Sequence, residues 1–119
     1  MSASEALAPA PVVPRYGSDA LCDVVPSLAA SLGVDGWENV LGVPEASRWV
    51  LLLVDGLGDL NLAEAVEEAP FLGGLRTTGG QLTAGVPSTT ATSITSLGTG
   101  LTPGQHGMLG YSFRNHVGG

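Results

Sequence analysis

The residues of this 119-residue chain with the clearest chemical potential are Asp55, which ends an unbroken apolar run, and the hydroxyls of Pro87-Ser88-Thr89-Thr90-Ala91-Thr92-Ser93-Ile94-Thr95-Ser96. Hydroxyl-rich runs are usually polar turns or solvated helix faces. Here, however, Pro87 and Ser88 make a turn just before a helical register of Ala91, Ile94 and Leu97, which puts Thr89 or Thr90 at a helix amino terminus. Free backbone N–H groups and the positive end of the helix dipole favour an anion there, whether a phosphate or a developing alkoxide. A threonine hydroxyl is a poor nucleophile unless its pKa is lowered, and metal coordination is the strongest means of doing so. Such a metal needs a carboxylate, and Asp55 supplies one if the two loops lie side by side.

The elements that must position these groups follow from the apolar pattern. Trp49-Val50-Leu51-Leu52-Leu53-Val54 is apolar at every position, the spelling of a strand buried on both faces of a parallel sheet, so Asp55 is expected at the carboxyl end of a central strand. Asp59 then caps a helix running to about Ala69, ended by Pro70 and Gly73-Gly74. Gln81 to Val86 supplies a second strand, and a second helix runs from near Thr90 to Gly98. Upstream, Leu21, Val25, Leu28 and Leu32 share one helical face, with Pro26 marking the start of a second short helix that ends at Gly33, and 34–47 is an irregular connection. The expected fold class is therefore α/β, a mostly parallel sheet flanked by helices.

Val50-Leu51-Leu52-Leu53-Val54-Asp55-Gly56, then Pro87-Ser88-Thr89-Thr90-Ala91-Thr92-Ser93, then Thr99-Gly100-Leu101-Thr102-Pro103-Gly104-Gln105-His106-Gly107 resembles, in that order, the nucleotide pyrophosphatase/phosphodiesterase family of the alkaline phosphatase superfamily. The resemblance spans roughly Trp49 to Phe113. It implies a partial alkaline-phosphatase-like core, Thr90 as catalytic nucleophile and metal ligand, and Asp55 as metal ligand. It also implies two divalent metal ions, commonly zinc, serving hydrolysis of a phosphodiester or nucleotide pyrophosphate through a phospho-threonine ester. Ser93 stands where the family usually has an asparagine that donates to a phosphate oxygen. It is the candidate phosphate contact, and its shorter hydroxyl leaves open the choice among nucleotide diesters, other diesters and monoesters. The family's histidine at the position of His106 braces its loop, and His116 reads as solvated.

A two-zinc site takes about four ligands per metal. After Glu68 the chain has no Asp or Glu, and it has only two His in all. The family's remaining ligands, three His and two Asp, are expected beyond Gly119, so the chain reads as the amino-terminal part of a longer metallohydrolase and as inactive by itself. The alternative is a truncated noncatalytic α/β fragment that binds a phosphate or a partner chain weakly. A haloacid-dehalogenase phosphatase needs a second Asp two positions after the first, where Leu57 stands, and a dinucleotide site needs a third glycine that Gly56-Leu57-Gly58-Asp59-Leu60-Asn61 lacks.

Composition sets the outer bounds. A hydrophobic content of 44% can supply a core, which argues against a disordered chain. A net charge of −7 gives no attraction to a nucleic-acid duplex or an anionic membrane and leaves a small phosphate ester or nucleotide as the expected substrate. Cys22 is the sole cysteine, so no intrachain disulfide can form; it reads as a small core hydrophobe and suits a cytoplasmic protein. Residues 1–17 are expected to be a flexible leader without a signal sequence, followed by one incomplete domain over 18–119.

Overall fold

The computed structural model describes residues 10–76 and 80–112. They form a 3-10 turn, Leu21–Asp23, and five helices: α1 (Val24–Ser31), α2 (Asp59–Glu64), α3 (Pro70–Arg76), α4 (Thr90–Thr99) and α5 (Pro103–His106). The expected α/β core is overturned. Among the described residues, pairing of β type is limited to an isolated parallel bridge between Ala20 and Thr83. Gln81 to Val86 therefore contributes one bridged residue rather than a strand.

The correction matters most at Trp49–Val54. These residues belong to no helix or ladder, and their side chains are open to solvent, from 37% exposed at Trp49 to 92% at Val50. A strand buried on both faces needs a neighbouring strand at its edge and helices over its faces. Among the described residues no strand pairs with this run, and only Trp49, at its start, is bonded to a helix, α1.

Where helices form, local spelling accounts for their ends. Pro26 lies in the first turn of α1, where a missing N–H costs nothing. Pro70, expected to end a helix, instead begins α3 for the same reason. Asp59 is the first helical residue of α2, with Gly58 at the cap. Its carboxylate is held by Arg76 of α3 through Nε at 2.6 Å and Nη2 at 2.9 Å, tying the two short helices together. Helix α4 is capped at its start by Thr89, whose hydroxyl accepts from Thr92 N, and at its end by Gly100, whose φ of 69° is left-handed.

The buried centre lies where α4 packs against the 3-10 turn, α1 and α5. Its hydrophobic part is Ala20, Cys22, Val24 and Leu97; beside them lie Asp23, Ser27, Ser31, Thr83, Thr92 and Ser96. The inward face of α4 is thus Thr92, Ser96 and Leu97, whereas Ile94, in the same apolar register as Leu97, is half exposed. No buried side-chain nitrogen or oxygen among the described residues lacks a hydrogen-bond partner. Ser27 Oγ accepts from Leu41 N, and Ser31 Oγ accepts from Trp49 Nε1 at 2.6 Å and donates to Leu28 O. These bonds hold the 34–48 connection against α1. Thr83 accepts from Arg15 N at 2.9 Å, which brings the described part of the 1–17 segment against the bridge; residues 1–9 lie outside the described residues. The radius of gyration is 17.4 Å, against ~13.5 Å for a compact domain of this length. Much apolar surface is therefore left uncovered.

Burial pushes the Cys22 thiol above its ordinary value, and the adjacent Asp23 carboxylate adds to the effect. The native state therefore holds this proton to higher pH than the unfolded chain does. The associated stability is complete below the unfolded thiol value, about 8.5, and is lost as pH rises through the folded value. With one cysteine in the sequence the readout is direct: at pH 8 an aromatic disulfide reagent should label Cys22 at least ~10-fold more slowly in the folded chain than in urea. Equal rates would show that the thiol is not buried.

Candidate functional site

Asp55 and Gly56 form a turn after the apolar run, with Gly56 at φ 73°, and Thr90 opens α4. The two meet across 35 residues of sequence: Thr90 Oγ1 donates to the Asp55 carboxylate, 3.1 Å from Oδ2 and 3.4 Å from Oδ1. Asp55 is exposed and Thr90 half-buried. Ser93 lies nearly one turn along α4, its backbone N–H donating to Thr89 O at 2.9 Å.

The amino end of α4 is largely occupied by the chain's own groups. Thr90 N donates to Tyr111 Oη at 3.2 Å, and Thr92 N donates to Thr89 Oγ1 at 3.4 Å. The Thr89 and Thr92 hydroxyls share a bond of 2.9 Å. The pattern of α4 alone gave no signal for Tyr111, which reaches back from 21 residues downstream. An anion approaching this end would find two backbone donors already engaged and the Asp55 carboxylate in front of it. Concavities elsewhere, such as the one lined by Pro11, Arg15, Leu82, Thr83 and Ser88, do not include Asp55 or Thr90.

His106 is fully committed to the fold. Met108 N donates to Nδ1 at 3.0 Å, so Nδ1 carries no proton in this arrangement; Nε2–H then donates to Ser96 Oγ at 2.8 Å. The ring thereby ties the end of α5 to the buried face of α4. His116 lies outside the described residues.

The two divalent metal ions implied by the resemblance do not fit these residues. Among the described residues no three of His, Cys, Asp and Glu come together. The reason is visible in the bonding of several candidates: Asp19 pairs with Arg15 at 2.5 Å and Asp59 with Arg76. Asp23 accepts from the backbone of Gly17, Ser18 and Ala20, and both nitrogens of His106 are engaged. Asp55 and Thr90 stand without a third ligand among the described residues, far short of the ~4 that each zinc takes.

No helix among the described residues is long and apolar enough to cross a membrane. Residues 49–119 match the family model described as Type I phosphodiesterase / nucleotide pyrophosphatase, more than half of the chain. No curated protein and no solved structure matches. The likeness is one of sequence. The alkaline-phosphatase-like core, the metal-dependent hydrolase and the zinc site that it implied are corrected by the absence of a sheet and of a metal-binding cluster among the described residues.

Proposed function

The chain belongs to the Type I phosphodiesterase / nucleotide pyrophosphatase family, and from that premise we propose that it acts without catalysis, as a helical piece that binds a protein partner through exposed apolar chain. The observation that carries this reading is the Trp49–Val54 run. Its six large apolar side chains are 37% to 92% exposed, while only four hydrophobic residues are buried among those described. A single chain rarely leaves a contiguous apolar surface of more than a few hundred Å² open to water unless something covers it. The alternative occupant, a phosphate at the head of α4, is disfavoured by the Asp55 carboxylate, by the donors already taken and by the net charge of −7. The free, buried Cys22 supports placing this activity in the cytoplasm.

The test compares the chain with Thr90→Ala on a nitrophenyl phosphodiester and titrates both with inorganic phosphate, with and without zinc. Hydrolysis at the uncatalysed rate for both proteins, and no saturable phosphate binding, is the expected result. Thr90-dependent turnover would overturn the reading. A second measurement addresses the surface itself. Trp37→Phe leaves Trp49 as the sole indole, and in dilute solution acrylamide should quench it efficiently. A shielded Trp49 in the dilute monomer would mean that the chain covers its own run and needs no partner.

A further inference from the structure

We propose that Asp35 is a site of spontaneous modification: the Asp35-Gly36 turn closes to a succinimide and reopens as isoaspartate, while the same dipeptide at Asp55-Gly56 is protected by Thr90. This chemistry needs no partner and stands apart from the binding role above.

The chain spells Val-Asp-Gly twice, at Val34-Asp35-Gly36 and at Val54-Asp55-Gly56. An aspartate before glycine is open to attack on its side-chain carboxyl by the next backbone nitrogen, because glycine has no Cβ to crowd the approach. The two copies share their local structure as well as their spelling. Each forms an exposed turn, with its glycine at φ 85° and 73° respectively. A Cβ added at either glycine would meet nothing within 4 Å, so neither turn is walled in on that side. Neither glycine N–H has a hydrogen-bond partner among the described residues, which leaves both nitrogens open.

The carboxylates differ. Asp55 accepts from Thr90 Oγ1, 3.1 Å from Oδ2 and 3.4 Å from Oδ1. Asp35 has neither a hydrogen bond nor an ion pair among the described residues. Its turn lies between two anchors, the bond from Val34 N to Ala29 O and the paired bonds between the Asn39 amide and the Val43 backbone. Neither anchor engages the atoms that react. At Asp35 the carboxyl can therefore turn onto its own backbone without breaking a bond, whereas at Asp55 it must first leave Thr90.

The chemistry consumes and returns one water. The Asp35 carboxylate takes a proton from solvent, and Gly36 N forms a bond to Cγ. The Cγ–OH bond breaks, and the hydroxyl leaves as water with the amide proton. Water then adds to one ring carbonyl, the C–N bond there breaks, and the nitrogen regains its proton. Opening at Cγ restores aspartate. Opening at the backbone carbonyl leaves the main chain running through Cβ and Cγ, one carbon longer, with the carboxylate on Cα.

Peptide mapping of the full chain, held for weeks at physiological temperature and pH, measures both sites in one sample. Isoaspartate should accumulate at Asp35 ~5-fold faster than at Asp55, the factor expected of one modest hydrogen bond. In urea, where only the near-identical local sequences act, the two rates should agree within ~2-fold. Thr90→Ala should raise the folded-state rate at Asp55 to within ~2-fold of that at Asp35 and leave Asp35 unchanged. Asp35→Glu, which cannot close the five-membered ring, should remove most of the isoaspartate from the chain. Circular dichroism checks that both variants keep their helices, and the parent chain in buffer and in urea carries the main comparison without any variant. Equal rates at the two sites in the folded chain, or a faster Asp55, overturn the proposal. A preference for Asp35 that persists in urea assigns it to sequence rather than fold and overturns the protection by Thr90, as does a Thr90→Ala chain with an unchanged Asp55. Isoaspartate at Asp35 in urea but not in the folded chain shows that the turn resists closure and overturns the site itself.

Discussion

Replacing Asp23 by alanine is expected to remove ~3–5 kcal/mol of stability, a large part of what a small domain has. Asp23 is only 8% exposed, and its carboxylate is the acceptor for three backbone donors: Gly17 N at 3.1 Å on Oδ1, Ser18 N at 3.1 Å and Ala20 N at 2.9 Å on Oδ2. These bonds fold residues 17–20 over the start of α1, where a negative charge also meets the positive end of the helix. Hydrogen bonds to a charged acceptor contribute roughly 1.5–3 kcal/mol each, and alanine leaves all three donors without one. The three act on one turn and will not add in full. Asparagine can keep the two donors on one oxygen but turns its amide toward the third, so Asp23→Asn should lose ~1–2 kcal/mol. Urea denaturation of the three proteins checks the order. A loss below ~1 kcal/mol for the alanine variant would show that residues 17–20 are held by something else.

Gly100→Ala should cost about 2–4 kcal/mol, and Gly107→Ala only ~1 kcal/mol, although both glycines end a helix in the left-handed region, at φ 69° and 74°. The difference lies in what a Cβ would meet. At Gly107 nothing lies within 4 Å, so only the conformational cost applies. At Gly100 the added carbon would stand 2.7 Å from Pro26 Cγ and 3.2 Å from Pro26 Cδ, and the proline ring has little freedom to move. The end of α4 would have to shift away from α1, disturbing the packing around Cys22 and Leu97. Thermal unfolding of both variants isolates the contact: equal destabilisation would mean that α4 and α1 are not closely packed at this point.

These two residues show different degrees of legibility. Gly100 was only partly legible: the expected helix ended at Gly98, two residues before the glycine that takes the left-handed cap, and the approach of Gly100 to Pro26 gave no signal. Asp23 gave no signal at all, since a lone acid near a helix start is commonplace and its three donors come from a turn that residues 17–20 adopt only when packed. The hydroxyls of α4 were misleading in another way. Thr92 and Ser96 sit on the buried face, while Ile94 is half exposed, because partners such as Thr89 and His106 satisfy the buried hydroxyls. The meeting of Asp55 and Thr90, and Tyr111 on the backbone of Thr90, join segments 35 and 21 residues apart.

By itself the sequence determined where α4 begins, the place of Pro26 in the first turn of α1, and a run at 49–54 that is apolar at every position. Only the tertiary structure decided that this run stands exposed without a sheet, that Pro70 opens a helix rather than closing one, and that Asp19, Asp59, Asp23 and His106 are spent on arginines, backbone donors and a serine while Asp55 and Thr90 meet each other. The physical reason is the range of the bonds. A helix closes its hydrogen bonds within four residues, so caps and breakers written beside it fix its limits. A strand closes its bonds only on another segment, and a metal site draws ligands from several. An apolar run or a well-placed aspartate can therefore state what it needs, but whether the need is met depends on chain that lies far away in sequence or belongs to another molecule.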